Sequence, residues 1–120
     1  MRKFLAAILL AASLPASAGD PWTAEQKALG AAFATAYVLD WRQTIHIASN
    51  PERWHETNPL LGEHPDAGRV NRHFAAGALL SYLILDAVPS ETRTVLLAAG
   101  FVVEAAYVNR NLQIGIGWGF

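Results

Sequence analysis

The sequence contains no cysteine. Disulfides, thiolate metal sites and cysteine nucleophiles are therefore excluded. Charge is scarce as well. Only 16% of the residues are Asp, Glu, Lys or Arg, against roughly 25% in ordinary soluble domains. The formal net charge is −1 and no basic cluster occurs, so there is no electrostatic case for nucleic acid as a partner. There is no P-loop, no Gly-x-Ser-x-Gly turn, no His-Glu-x-x-His helix and no dinucleotide fingerprint. What is present is apolar. Hydrophobic residues make up 52% of 120 residues, a length that suits one domain.

The chain opens with Arg2-Lys3, an apolar run from Phe4 to Leu14, and Ala16-Ser17-Ala18 just before Gly19. A basic start, a short apolar stretch and a small-x-small site have the form of a secretory signal peptide over residues 1–18. An uncleaved N-terminal anchor is the alternative, although the run is short for a span. Cleavage would leave the mature N-terminus on the periplasmic side of a bacterial inner membrane.

Three apolar segments follow: Ala28 to Leu39, Phe74 to Leu85, and Thr94 to Val103. None alternates strictly, so strands are not indicated. The fold class expected is all-α, a three-helix membrane bundle over residues 19–120, with helices at about 23–49, 70–88 and 92–109. Thr23 with Gln26 three residues on reads as a capping box. Pro89 stops the second helix, and Ser90 or Thr92 is placed to cap the third. The charge-free runs are 12, 12 and 10 residues long, which taken alone favours core helices over spans. Their circumference argues the other way, because a small soluble bundle needs a polar face on each helix. A compact secreted or periplasmic helical domain is the alternative. With the N-terminus outside, Arg42, Arg53, Arg69, Arg72 and Arg110 fall on the inner side, and Lys27 and Arg93 on the outer. That matches the positive-inside rule and puts the C-terminus in the cytoplasm.

At 100° per residue Asp40, Gln43 and Thr44 share one helix face, and Gly100, Glu104, Tyr107 and Asn111 share another. Depth along the helices places Asp40, Gln43, Asn71, Arg72, Glu104 and Asn109 in the inner half of the bundle, with Asp86 alone near the outer end. Ionisable groups at such depth are costly and need partners. Two readings fit. One is a structural knot in which Asp40 or Glu104 pairs with Arg72. The other is a ligand, ion or catalytic site. His46, His55, His64 and His73 recur every nine residues, half a turn out of phase on a helix, so they form no helical metal motif. His55 and His64 share a loop with Glu56 and Asp66, and imidazole with carboxylate suits a divalent metal. A solvated, proline-stiffened connection is the alternative for that loop. The closing Ile114-Gly-Ile-Gly-Trp-Gly-Phe120 is a poor helix former. It is expected to lie at a membrane interface or to tuck against the bundle.

The set Asp40-x-x-Gln43-Thr44, Glu56-x-Asn58-Pro59-Leu60-Leu61-Gly62, Val70-Asn71-x-x-Phe74 and Asn109 with Ile114-Gly-Ile-Gly-Trp118 resembles a group of small uncharacterised membrane proteins of bacteria and their phages. The resemblance covers most of the mature chain and implies a membrane location without an activity. It singles out Asp40, Gln43, Glu56, Asn58, Asn71 and Asn109. The expected protein is an inner-membrane binding or organising module. Its expected partners are the lipid bilayer and either a second copy or another membrane protein. An intramembrane metal-assisted hydrolase and a phage-type lysis protein are the alternatives.

Overall fold

The structure, a computed structural model, describes residues 19–118. The leader reading of residues 1–18 lies outside them. Three helices carry the described chain: α1 (Ala24–Ser49), α2 (Ala67–Ala87) and α3 (Ser90–Gln113). The all-α reading holds.

Helix α1 starts as its sequence dictates. Thr23 accepts a hydrogen bond from the Gln26 N–H, and the Gln26 side chain accepts from the Thr23 N–H. Two otherwise unpartnered donors are satisfied reciprocally. Helix α2 begins earlier than Val70 because Asp66 caps it, accepting from the Arg69 N–H at 2.7 Å. Helix α3 departs from expectation at both ends. Neither Ser90 nor Thr92 caps it. Pro89 holds the cap position without a side-chain bond, and Asp20 accepts from the Ser90 N–H at 2.9 Å. The cap is thus supplied from a remote segment. At the far end α3 passes 109 and stops only before Gly115, whose φ is +95°. The Gly115 N–H donates to the Leu112 carbonyl and the Ile116 N–H to that of Asn111. This is a Schellman closure, and the glycine supplies its left-handed residue. The tail therefore turns back, and Ile116 is buried at 1% exposure.

Helices α1 and α3 form the main pairing, and α2 leans chiefly on α1. A Cβ added to Gly100 would lie 2.9 Å from the Phe33 ring, and one added to Gly77 would lie 2.5 Å from the Tyr37 hydroxyl. These two glycines set the closeness of the helices. The Tyr37 hydroxyl donates to the Phe74 carbonyl at 2.7 Å, Trp41 stacks on Phe74 at 5.6 Å, and the Trp41 indole N–H donates to Asn71 at 2.9 Å. Leu61, Val70 and Phe74 form a core that also takes in Tyr37, Trp41, Ile45 and Ala48.

No described helix is long and apolar enough to cross a membrane. The reason is spacing. Asp40 and Arg42 interrupt α1, Arg72 and Asp86 bracket α2, and Arg93 and Glu104 bracket the apolar part of α3. A 12-residue charge-free run rises only about 18 Å, against ~30 Å of hydrocarbon. The all-round apolar character is real nonetheless. Leu79, Leu83, Val95, Val102 and Val103 are each more than half exposed.

Arg93, counted on the outer side of the bundle, keeps its side chain inside it. It is fully buried. Its Nε donates to the Leu85 carbonyl at 2.6 Å, and Nη2 reaches the carbonyls of Asp86 and Val88 at 3.3 Å. Nη1 donates to Gln26 at 3.2 Å and to the Pro21 carbonyl at 3.3 Å. The guanidinium also lies over the Trp22 ring at 4.9 Å. The last carbonyls of a helix carry partial negative charge and lack partners within it. Arg93 serves both needs for α2.

Candidate functional site

Below the Phe33–Gly100 crossing, α1 and α3 diverge around a cavity of about 350 Å³. Positions 37, 40 and 44 share the inward face of α1, and 104, 107 and 111 that of α3, by the i, i+3, i+7 spacing of a helix. Each triplet lines the cavity. His73 of α2 and the loop residues His55 and Glu56 close it, and Arg53 and Arg110 also line it.

Asp40 and Glu104 meet across the helix pair in a carboxyl–carboxyl hydrogen bond. Such a bond requires one of the two to hold a proton. Burial pushes the Asp40 carboxyl up to about 8, and the Glu104 charge and the shared hydrogen bond push the same way. Burial also raises Glu104, while the bond from Asp40 opposes that rise. Burial thus favours a pair that shares one proton and carries one charge. The second Glu104 oxygen, Oε2, is buried and has no hydrogen-bond partner among the described residues. A buried carboxylate oxygen left unpartnered costs its full desolvation. The neighbours respond. Burial, then Glu104 and Asp40, lift the Tyr37 hydroxyl to about 12. Burial lowers His73, with Glu56 opposing.

Gln43, fully buried, stands one turn further along α1. Asn111 donates to its oxygen at 3.1 Å, and its amide donates to the Gly117 carbonyl at 3.0 Å. The C-terminal segment is fastened to both long helices by this one amide.

Of the six residues read as a polar cluster, Asp40, Gln43 and Glu104 come together and Asn71, Arg72 and Asn109 do not. Asn71 faces a surface groove beside Trp41 and Arg42. The Arg72 guanidinium lies at the start of its own helix near Gly68 and Asp66. Asn109 is exposed. The Arg72 knot is therefore corrected: Glu104 bonds to Asp40 instead. Arg72 points along the first turn of α2, a direction that depth alone could not supply.

The Glu56–Gly62 motif is a turn. Glu56 accepts from the N–H groups of Thr57 and Asn58 at 2.9 and 3.0 Å. The Asn58 side chain accepts from the Leu60 N–H, and its carbonyl from those of Leu61 and Gly62. Pro59 is exposed in the middle, and Gly62 has φ +81°. The turn plants Leu61 in the core at 2% exposure. His55 lines the cavity and also a surface cleft that it shares with His64 and Glu63, whereas His64 lines the cleft but not the cavity. No group of three or more His, Cys, Asp or Glu among the described residues is arranged to hold a metal ion.

Tyr37 and His73 belong to the site and were not singled out from the sequence, whereas Asn111, already placed on the Glu104 face, does line it. Tyr37 precedes Asp40 by three residues and Asn111 follows Glu104 by seven, so both follow from helical spacing once the acids are chosen. Nothing local points to His73. Comparisons with protein-family models, with curated proteins and with solved structures return no match for this chain.

Proposed function

We propose that this protein is a small binding module whose ligand sits over the Asp40–Glu104 pair. The observation that carries the reading is the unpartnered, buried Glu104 Oε2 at the edge of a cavity large enough for a small molecule. An ammonium or guanidinium group would satisfy that oxygen. Arg53 and Arg110 among the lining residues favour an acceptor at the ligand's other end. Arginine is the simplest compound with both features, and agmatine lacks the acceptor.

A cation competes with the shared proton, so binding releases a proton and tightens as pH rises toward 8. Calorimetry in two buffers of different ionisation enthalpy reads this directly. Arginine is expected to bind more tightly than agmatine, with proton release, and Glu104→Gln is expected to lose both. Unchanged affinity in Glu104→Gln would overturn the reading.

We place the module against the inner membrane. The leader-like start and the exposed apolar side chains of α2 and α3 support this. Recovery of the protein in the soluble fraction of lysed cells, without any wash, would count against it.

A further inference from the structure

A second cavity, of about 430 Å³, lies between α1 and α2 on the opposite side of Tyr37. It is a slot tied shut at both ends. At one end the Trp22 indole N–H donates to Asp86 at 2.9 Å. At the other, Tyr37 and Trp41 bond to α2 through Phe74 and Asn71. Between the ties the facing residues are small: Gly30 and Ala34 on α1, Ala78 and Ser81 on α2. They leave the helices apart without filling the gap. Trp22, Phe33, Val38, Trp41, Tyr82 and Leu85 wall it. Lys27 is the only charged residue among the described lining residues. From Lys27 to Trp41 the slot runs fourteen residues of α1, roughly 21 Å at the helical rise.

We propose that this slot binds one long-chain fatty acid, with its hydrocarbon along α1 and its carboxylate at the Lys27 ammonium. A length of roughly 21 Å with a volume of about 430 Å³ suits a single extended chain better than a two-chain phospholipid. Removing the hydrocarbon from water supplies the affinity. One cation at one end supplies the direction, with the carboxylate at the exposed mouth where it keeps part of its hydration. The site shares only Tyr37 with the carboxyl-pair cavity, so it stands whether or not that cavity takes a ligand.

The test uses the full chain with Trp54→Phe and Trp118→Phe, which leaves Trp22 and Trp41 as reporters. Palmitate brominated beside the carboxylate is expected to quench Trp22, and palmitate brominated at the chain end Trp41, each saturably and at one per chain. Lys27→Glu should weaken it about three- to tenfold, the size of a lost and reversed exposed ion pair. Hexadecanol, which lacks the carboxylate, should compete equally well in both backgrounds. Ala78→Phe fills the slot from an exposed position of α2 and should abolish quenching. Ala34→Leu does the same from α1 and guards against a folding failure in the first variant. Quenching that survives both fillers, or that ignores Lys27→Glu, would overturn the proposal. So would quenching by vesicles of brominated phosphatidylglycerol in the absence of any effect of free bromopalmitate, which would make the occupant a bilayer. Loss of the slot's accessibility on self-association, read as quenching only in diluted monomer, would make it a second copy.

Discussion

Asp40→Asn is expected to stabilise the ligand-free protein at pH 8 and to stabilise it much less at pH 5. The wild-type Asp40 carboxyl titrates at about 8 in the folded chain, against roughly 3.9 in an unfolded one. Between those values the folded state binds more protons than the unfolded state. Stability then falls as pH rises, with the penalty absent below the unfolded value and complete above the folded one. Glu104, raised by burial, acts in the same sense. His73 acts in the opposite one. Its folded value is lowered by burial, so folding resists its protonation and stability declines below about pH 6.5. The carboxyl effect is therefore cleanest between about pH 6.5 and 8, where His73 is neutral in both states. An asparagine amide at position 40 can still donate to Glu104, so the hydrogen bond is kept and only the titrating proton is lost. The expected gain at pH 8 is about 2–4 kcal/mol. For a chain of this size that is a rise in Tm of roughly 10 °C or more. Melting curves from pH 5 to 8 check it. A wild-type slope identical to that of Asp40→Asn over the upper half of this range would remove the shared proton.

Arg93→Met is expected to be the most damaging single substitution. Methionine fills much of the volume but donates nothing. The carbonyls of Leu85, Asp86, Val88 and Pro21 and the Gln26 oxygen would lose their donor together. Each buried acceptor left unpaired costs about 1–3 kcal/mol, less where a second partner or water remains. A net loss of about 3–5 kcal/mol is of the size seen when a buried charge network is broken, and it is a large part of the ~5–15 kcal/mol that holds a domain folded. Arg93→Lys should recover little. An ammonium has three donors from one point, whereas the guanidinium fork spans carbonyls on both sides of the α2–α3 turn. Chemical denaturation gives the magnitude. Trp22 fluorescence gives the mechanism, since the indole lies under the guanidinium and should redden before global unfolding. A melting midpoint within 3 °C of wild type for Arg93→Met would show that the network is dispensable.

Helix existence was legible in the sequence because apolar runs, a capping box and Pro89 are local signals. The start of α3 was not. Its cap comes from Asp20, seventy residues earlier, and no window of sequence couples the two. The acids of the site were legible because burial of Asp40 and Glu104 is unusual wherever it occurs. Their partner was misread because depth along a helix says nothing about azimuth. Arg72 and Glu104 stand at similar computed depth yet face different neighbours. The role of Arg93 was not legible for a related reason. A single arginine in a short turn looks solvent-bound until the carbonyls of the preceding helix are seen to converge on it. The membrane expectation came from side chains counted round each helix. The counting was sound, for α2 and α3 do expose apolar residues. It gave that circumference more weight than the shortness of each run between charges.

The pairing of α1 with α3 has a consequence for the chain while it is being made. The first helix leaves the ribosome long before the last, and α2, which comes between, offers it the contacts of Val70, Asn71 and Phe74 with Tyr37, Trp41 and Ile45. The bonds that close the bundle — Gln26 with Ser90 and Thr94, Gln43 with Asn111 and Gly117, and Arg93 with Pro21 — all need residues from Ser90 onward. No nascent chain lacking α3 can make any of them. The bonds of the α1–α3 pairing are therefore withheld until α3 has been made, and the faces of α1 and α2 that it covers remain available to chaperones or lipid throughout that interval.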